Sequence, residues 1–179
     1  MTIAAATVAW AGAAVITLAD GRRGLAVGIA VVAIGFGALA IANGGWLGGV
    51  ALIAGGAVSA IQLARTGSKD LGLMPPGSTP RMILAVVAAI LSLWVAASVT
   101  TGPGAPLRFA SVAVLGLMAA RLLQAQAASP VLTAAAALAI ALAGASGIGD
   151  TEPGLAPYVL GALVAAGASF LPIREPGGA

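Results

Sequence analysis

The sequence predicts an all-α integral membrane protein, a polytopic bundle of about seven short transmembrane helices. Of its 179 residues, 60% are hydrophobic and only 7% are charged, whereas a soluble domain carries about 25% charged residues. The mean hydropathy is +1.10. The apolar residues also occur in long uncharged runs between short polar segments, which is typical of membrane-spanning helices.

Seven apolar runs are candidate spans, and most of them end at a glycine-containing turn or at a charged segment. The predicted spans are 2–18, 25–42, 46–64, 82–99, 109–124, 131–146 and 156–171. These runs are at the short end of what crosses a bilayer, for which about 20 residues is typical. A count of six is the alternative, with one of the last three runs lying along the interface or re-entering. We expect one integral membrane domain over 1–179, with a cytoplasmic loop at 65–81.

The basic residues predict that the N-terminus lies outside the cell and the C-terminus in the cytoplasm. In this orientation only Arg108 falls on the outer side, and the other basic residues fall on the cytoplasmic side, where Lys and Arg are normally in excess. The predicted orientation-setting residues are Arg22, Arg23, Arg65, Lys69, Arg81, Arg121 and Arg174. An even number of spans would put Arg174 on the wrong side. In the first run the positive charges follow the apolar stretch, which favours a retained helix over a cleaved signal peptide.

The side chains that usually carry chemistry are scarce. The chain has no His and no Cys, which removes the commonest general base and the thiolate metal ligands. All five carboxylates fall in predicted loops or in the C-terminal tail, so none marks a proton or ion path within the membrane. We therefore predict no catalytic, metal-binding or cofactor-binding residue, and only bound lipids as ligands. The net charge of +3 is explained by arginines at membrane boundaries, and no nucleic-acid partner is predicted.

Small residues recur at four-residue spacing on several predicted helices. Such rows let helix backbones approach closely in lipid, where no hydrophobic force drives helices together. They predict either packing within this chain or docking onto another membrane subunit. The candidate helix-packing residues are Gly24, Gly28, Gly45, Gly49, Gly55, Ser59, Gly161, Ala165 and Ser169.

The missing chemistry and the short loops lead to a functional hypothesis. We expect a non-catalytic integral membrane subunit that packs against partner subunits of a larger complex. The alternative is a small transporter, channel or flippase for a neutral or lipidic solute. The expected partners are membrane lipids and either other membrane subunits or further copies of this chain. The excess of Arg over Lys in an Ala- and Gly-rich chain favours the cytoplasmic membrane of a high-GC bacterium.

Overall fold

The computed structural model describes residues 2–66, 79–102, 104–125, 127–148 and 154–171, with the backbone alone at Arg81. Within these ranges the chain forms seven α-helices and a single 3-10 turn, Ser146–Ile148. The helices are α1 (Thr2–Leu18), α2 (Arg22–Ala42), α3 (Trp46–Thr66), α4 (Thr79–Ser98), α5 (Ala105–Gln124), α6 (Ala128–Ala145) and α7 (Leu155–Ala168). The predicted all-α class is therefore confirmed for the part of the chain that the structure describes.

Several helices begin earlier than the uncharged runs predict. The largest difference is at α5, which starts at Ala105 rather than at Phe109. Gly104 precedes it with a φ of +75°, a left-handed conformation that glycine adopts readily. Pro106 then lies in the first helical turn, where a proline needs no backbone N–H. The predicted span begins four residues later because the uncharged run starts after Arg108, and Arg108 in fact lies inside α5.

Within the described residues, four helices are long and apolar enough to cross a membrane: α2, α3, α5, and α6 with its 3-10 extension. This is the architecture of a multi-pass membrane protein. The helices α1 and α7 are shorter, at 17 and 14 residues. At 1.5 Å per residue, α7 is about 21 Å long, against about 30 Å for a hydrocarbon core. The count of seven spans stays a prediction.

Six of these helices pack as two layers of three. The first layer is α1–α2–α3 and the second is α5–α6–α7, with α1 against α5, α2 against α6 and α3 against α7. The large ring of Phe36 on α2 fills the space between the layers. A Cβ added at Gly144 of α6 would lie 2.5 Å from that ring. The helix α4 lies outside the two layers and packs chiefly on α5.

The connections and contacts give the direction of each helix. Short turns join α2 to α3, α4 to α5 and α5 to α6, so these pairs are antiparallel. The helices α3 and α7 run parallel, because Gly48 meets Tyr158 and Gly55 meets Ala162. As a result, the starts of α2, α4 and α6 and the ends of α1, α3, α5 and α7 share one end of the bundle.

Candidate functional site at the basic end of the bundle

Arginines gather at the shared end just described, which we call the basic end. The residues described there are Arg22, Arg23, Arg65, Arg121 and the backbone of Arg81. The opposite end carries Arg108, at the start of α5. Lys69 and Arg174 lie outside the described residues, as does most of the predicted loop 65–81. The structure thus brings these five orientation-setting residues to one end, and the side of the membrane that this end faces stays a prediction.

Arg22 joins the start of α2 to the end of α3. Its Nη1 donates to the carbonyl oxygen of Thr66 at 2.8 Å. The last carbonyls of a helix lack partners within the helix and carry partial negative charge, so a guanidinium is a favourable partner there. This contact closes the α2–α3 hairpin at the basic end.

Arg121 is the largest fully buried side chain among the described residues, with 0% exposure. Its Nη2 donates to the carbonyl oxygen of Ala19 and to Oδ1 of Asp20, both at 2.7 Å. The Asp20 side chain is 33% exposed. The ion pair therefore joins the end of α5 to the residues that follow α1, across the two layers.

The Arg121 guanidinium is incompletely satisfied. Within the described part of the chain, its Nε and Nη1 are buried without a hydrogen-bond partner. A buried charge that is only partly hydrogen-bonded carries a large desolvation cost, so its one carboxylate partner matters greatly. Loss of Asp20 would leave a positive charge inside the bundle with the Ala19 carbonyl as its one hydrogen-bond acceptor among the described residues.

The sequence predicts that Arg121 lies at a membrane boundary, but it does not predict this ion pair. The signal was nevertheless present in the predicted topology. The first and fifth predicted spans end on the same side, one directly before Asp20 and the other just after Arg121. Opposite charges at matching ends of two helices are candidates for pairing. What the sequence left open was whether α1 and α5 are neighbours.

A small polar cavity lies beside this region, between α2 and α3 of one layer and α6 and α7 of the other. Its polar lining residues are Arg22, Ser59, Thr66, Ser129, Thr133 and Ser169. Two of the candidate packing residues, Ser59 and Ser169, are thus brought together here. Its cavity volume of about 20 Å³ is enough for roughly one water molecule.

The hydroxyl groups determine what this cavity can bind. Thr66, Thr133 and Ser169 each donate to a carbonyl of their own helix. A hydroxyl that has used its proton in this way offers only lone pairs to other groups. The cavity therefore presents mainly acceptors beside the guanidinium of Arg22. In this arrangement it suits a water molecule that links the two layers, and it is too small for an organic solute.

Four of the candidate packing glycines lie at close helix–helix contacts inside the bundle. A Cβ added to any of them would come within 2.5 to 2.6 Å of an atom of a neighbouring helix. Gly28 meets α1, Gly49 meets α2, Gly55 meets α7 and Gly161 meets α6. These positions are therefore occupied by contacts within the chain and are not free for a partner.

The other candidate packing residues differ from one another. Gly24 and Ala165 are buried within α2 and α7. Gly45 lies in the turn before α3, where an added Cβ would meet only Ala40 at 3.4 Å. Gly45 thus lies outside the helix–helix contacts.

Comparison with protein-family models, with curated proteins and with solved structures finds no match to this chain.

Proposed function

We propose that this protein is a non-catalytic integral membrane subunit that packs against the transmembrane helices of partner subunits. In this proposal all seven helices cross the cytoplasmic membrane, with the N-terminus outside. The observation that carries it is the position of α4. Each of the six helices in the two layers has at least two close neighbours, whereas α4 has one main neighbour, α5.

The two faces of α4 are different in character. The face toward α5 is made of small residues, and Ser92 lies so close to Gly116 that a Cβ there would be 2.8 Å away. The opposite face carries large apolar side chains that are exposed in the described chain. These are Ile83, Val87, Ile90, Leu91 and Trp94, with Trp94 71% exposed. We call these five residues the outer face of α4.

The spacing of the outer face fits a helical partner. Positions 83, 87, 90, 91 and 94 fall on one stripe of an α-helix, which is the pattern by which helices pack side by side. The outer face leaves room for a second helix, which would be held by close packing because lipid gives no hydrophobic force between helices. A partner helix seated on the stripe would give α4 a second neighbour and bury its large side chains.

The interior of the described bundle supports a role in assembly rather than in transport. The space between the layers is filled by apolar side chains such as Phe36 and Ile140, both fully buried. The buried hydroxyl of Thr133 bonds to its own helix. The polar cavity at the basic end has room for about one water molecule.

The alternative function is a small transporter or flippase for a neutral or lipidic solute. The observation that favours it is that same hydroxyl-lined cavity, since it lies between the two layers and next to Arg22. Opening of the layers at this end would enlarge it. Reconstituted protein that moves a fluorescent lipid or a small neutral solute across vesicles would favour this alternative over the assembly role.

The assembly role is tested by purification of the tagged protein in mild detergent from its native membrane. Two variants of matched exposure are compared with the parent chain: Ile90→Trp on the outer face of α4 and Leu163→Trp on α7, which are 60% and 62% exposed. We expect a defined stoichiometric partner to be retained by the parent and by Leu163→Trp and lost by Ile90→Trp. A chain that purifies alone, or equal retention by both variants, would contradict the proposal.

A further inference from the structure

An apolar groove lies at the end of the bundle opposite to the basic end. It is formed by the start of α1, Thr100 in the turn after α4 and the start of α5, with a cavity volume of about 310 Å³. This is the size at which ligand-binding cavities begin. Its lining residues include Ile3, Ala6, Thr7, Thr100 and Phe109. We call it the α1–α5 groove.

The two threonines in the groove lining do not make it polar. The hydroxyl of Thr7 donates to the carbonyl oxygen of Ala4 at 2.8 Å, and the hydroxyl of Thr100 donates to the carbonyl oxygen of Ala96. Each hydroxyl has therefore used its proton on a nearby backbone carbonyl. The groove suits a hydrocarbon chain.

A positive charge is adjacent in the chain to the residues that line the groove. Arg108 directly precedes the lining residue Phe109, and its Nη1 donates to the carbonyl oxygen of Thr101 at 2.9 Å. Thr101 in turn follows the lining residue Thr100. The guanidinium is thus held across the turn between α4 and α5, at the residue that follows the lining residue Thr100. Arg108 is the one basic residue described at this end of the bundle.

We propose that the α1–α5 groove binds a phospholipid with an anionic headgroup, with an acyl chain in the groove and the phosphate at Arg108. The pairing of charge and hydrocarbon favours this occupant. A guanidinium matches a phosphate through several N–H donors. A transmembrane helix of a partner would cover the groove but would leave Arg108 without an anion.

The headgroup, rather than the acyl chain, sets the selectivity of this site. A lipid tail leaves one hydrocarbon environment for another, so its burial in the groove gives little net hydrophobic gain. One arginine near the surface of a membrane with net-anionic lipids contributes about 1 kcal/mol, which is about fivefold in affinity. In phosphatidylcholine the phosphate is also present, but the choline cation offsets its charge. We therefore expect about a fivefold preference for an anionic over a zwitterionic lipid with identical tails.

The test uses phosphatidylglycerol and phosphatidylcholine that carry the same photoreactive acyl chain, with the full-length protein in nanodiscs. Cross-links are mapped by mass spectrometry. We expect cross-links at the α1 and α5 segments that line the groove, about fivefold more with phosphatidylglycerol. Arg108→Gln should reduce this yield to the phosphatidylcholine level. Arg23→Gln, at the basic end, should leave the yield at the groove unchanged.

A second pair of variants tests the groove itself. Thr7→Trp places a large side chain in the groove from an exposed position and should reduce cross-linking at the α5 segment with both lipids. Ala57→Trp, on the exposed side of α3, is the matched control and should not. Equal labelling by both lipids in the parent chain would overturn the proposal, as would an unchanged lipid preference in Arg108→Gln. A change of oligomeric state in Thr7→Trp without a loss of cross-linking would assign the groove to a second copy of the chain.

Discussion

The Asp20–Arg121 ion pair allows the packing of α1 against α5 to be tested by a pair of substitutions with unequal effects. Asp20→Asn removes the carboxylate and leaves the fully buried guanidinium of Arg121 with the Ala19 carbonyl as its remaining acceptor among the described residues. Breaking a fully buried pair by removing one partner costs about 3–5 kcal/mol. Because Asp20 is 33% exposed, we expect a smaller loss, about 2–3 kcal/mol in the free energy of unfolding.

Arg121→Met should cost less than Asp20→Asn. Methionine fills much of the volume of the arginine without a charge, and the partly exposed Asp20 carboxylate can then be hydrated. The double variant, Asp20→Asn with Arg121→Met, should recover at least about 1 kcal/mol relative to Asp20→Asn alone, because no unpaired charge is left inside the bundle.

The free energy of unfolding is measured by SDS titration in mixed micelles, followed by tryptophan fluorescence. Arg108→Gln is the control, since Arg108 is partly exposed and donates its hydrogen bond to a carbonyl in a loop. It should change stability by less than about 0.5 kcal/mol. A cost for Arg121→Met that equals or exceeds that of Asp20→Asn would refute the reasoning, as would a double variant no more stable than Asp20→Asn.

Two further predictions concern packing and are measured in the same titration. Gly55→Ala should destabilise the bundle by about 1–3 kcal/mol, because the added Cβ would lie 2.6 Å from the carbonyl oxygen of Ala162; Gly167→Ala, with open space around it, should change stability by less than about 0.5 kcal/mol. Equal effects of the two would show that α3 and α7 are not in close contact. Phe36→Ala should cost about 3 kcal/mol by leaving a cavity opposite Gly144, and a negligible change would contradict the two-layer packing.

The helices themselves could be predicted from the sequence because hydropathy and turn residues act locally. Every predicted run corresponds to an observed helix, and the ends agree most closely where a glycine turn lies beside the run, as at Asn43–Gly45. The ends were misplaced where a charged residue lies inside the helix, as Arg108 does in α5. A guanidinium near the end of a span can extend toward the interface, so charge alone does not end a helix.

The arrangement of the helices could not be predicted in the same way. Rows of small residues occur on nearly every helix, so they do not say which faces meet. The rows at Gly28, Gly49, Gly55 and Gly161 pack within the chain, which removes them as docking surfaces. The sequence does not distinguish the outer face of α4, because its large apolar residues follow the same pattern as a lipid-facing stripe. The face becomes distinct only in the structure, where α4 has one main neighbour.

The candidate sites depend on long-range contacts in the same way. Asp20 and Arg121 are separated by 101 positions, and the cavity at the basic end joins residues from four helices. The α1–α5 groove depends on α1 and α5 being neighbours. The sequence shows each polar residue but not the residue with which it pairs. An alanine-rich helix can pack against many other helices, so the sequence does not determine which helices are neighbours.

Site-specific labelling tests most directly whether the protein is a membrane bundle whose basic end faces the cytoplasm. The chain has no cysteine, so single cysteines placed at Thr101 and at Ser68 are each unique labels. With a membrane-impermeant thiol reagent on intact cells, we predict that the cysteine at Thr101 is labelled and that the one at Ser68 is labelled only after the membrane is opened. Labelling of both positions from the same side would contradict the account.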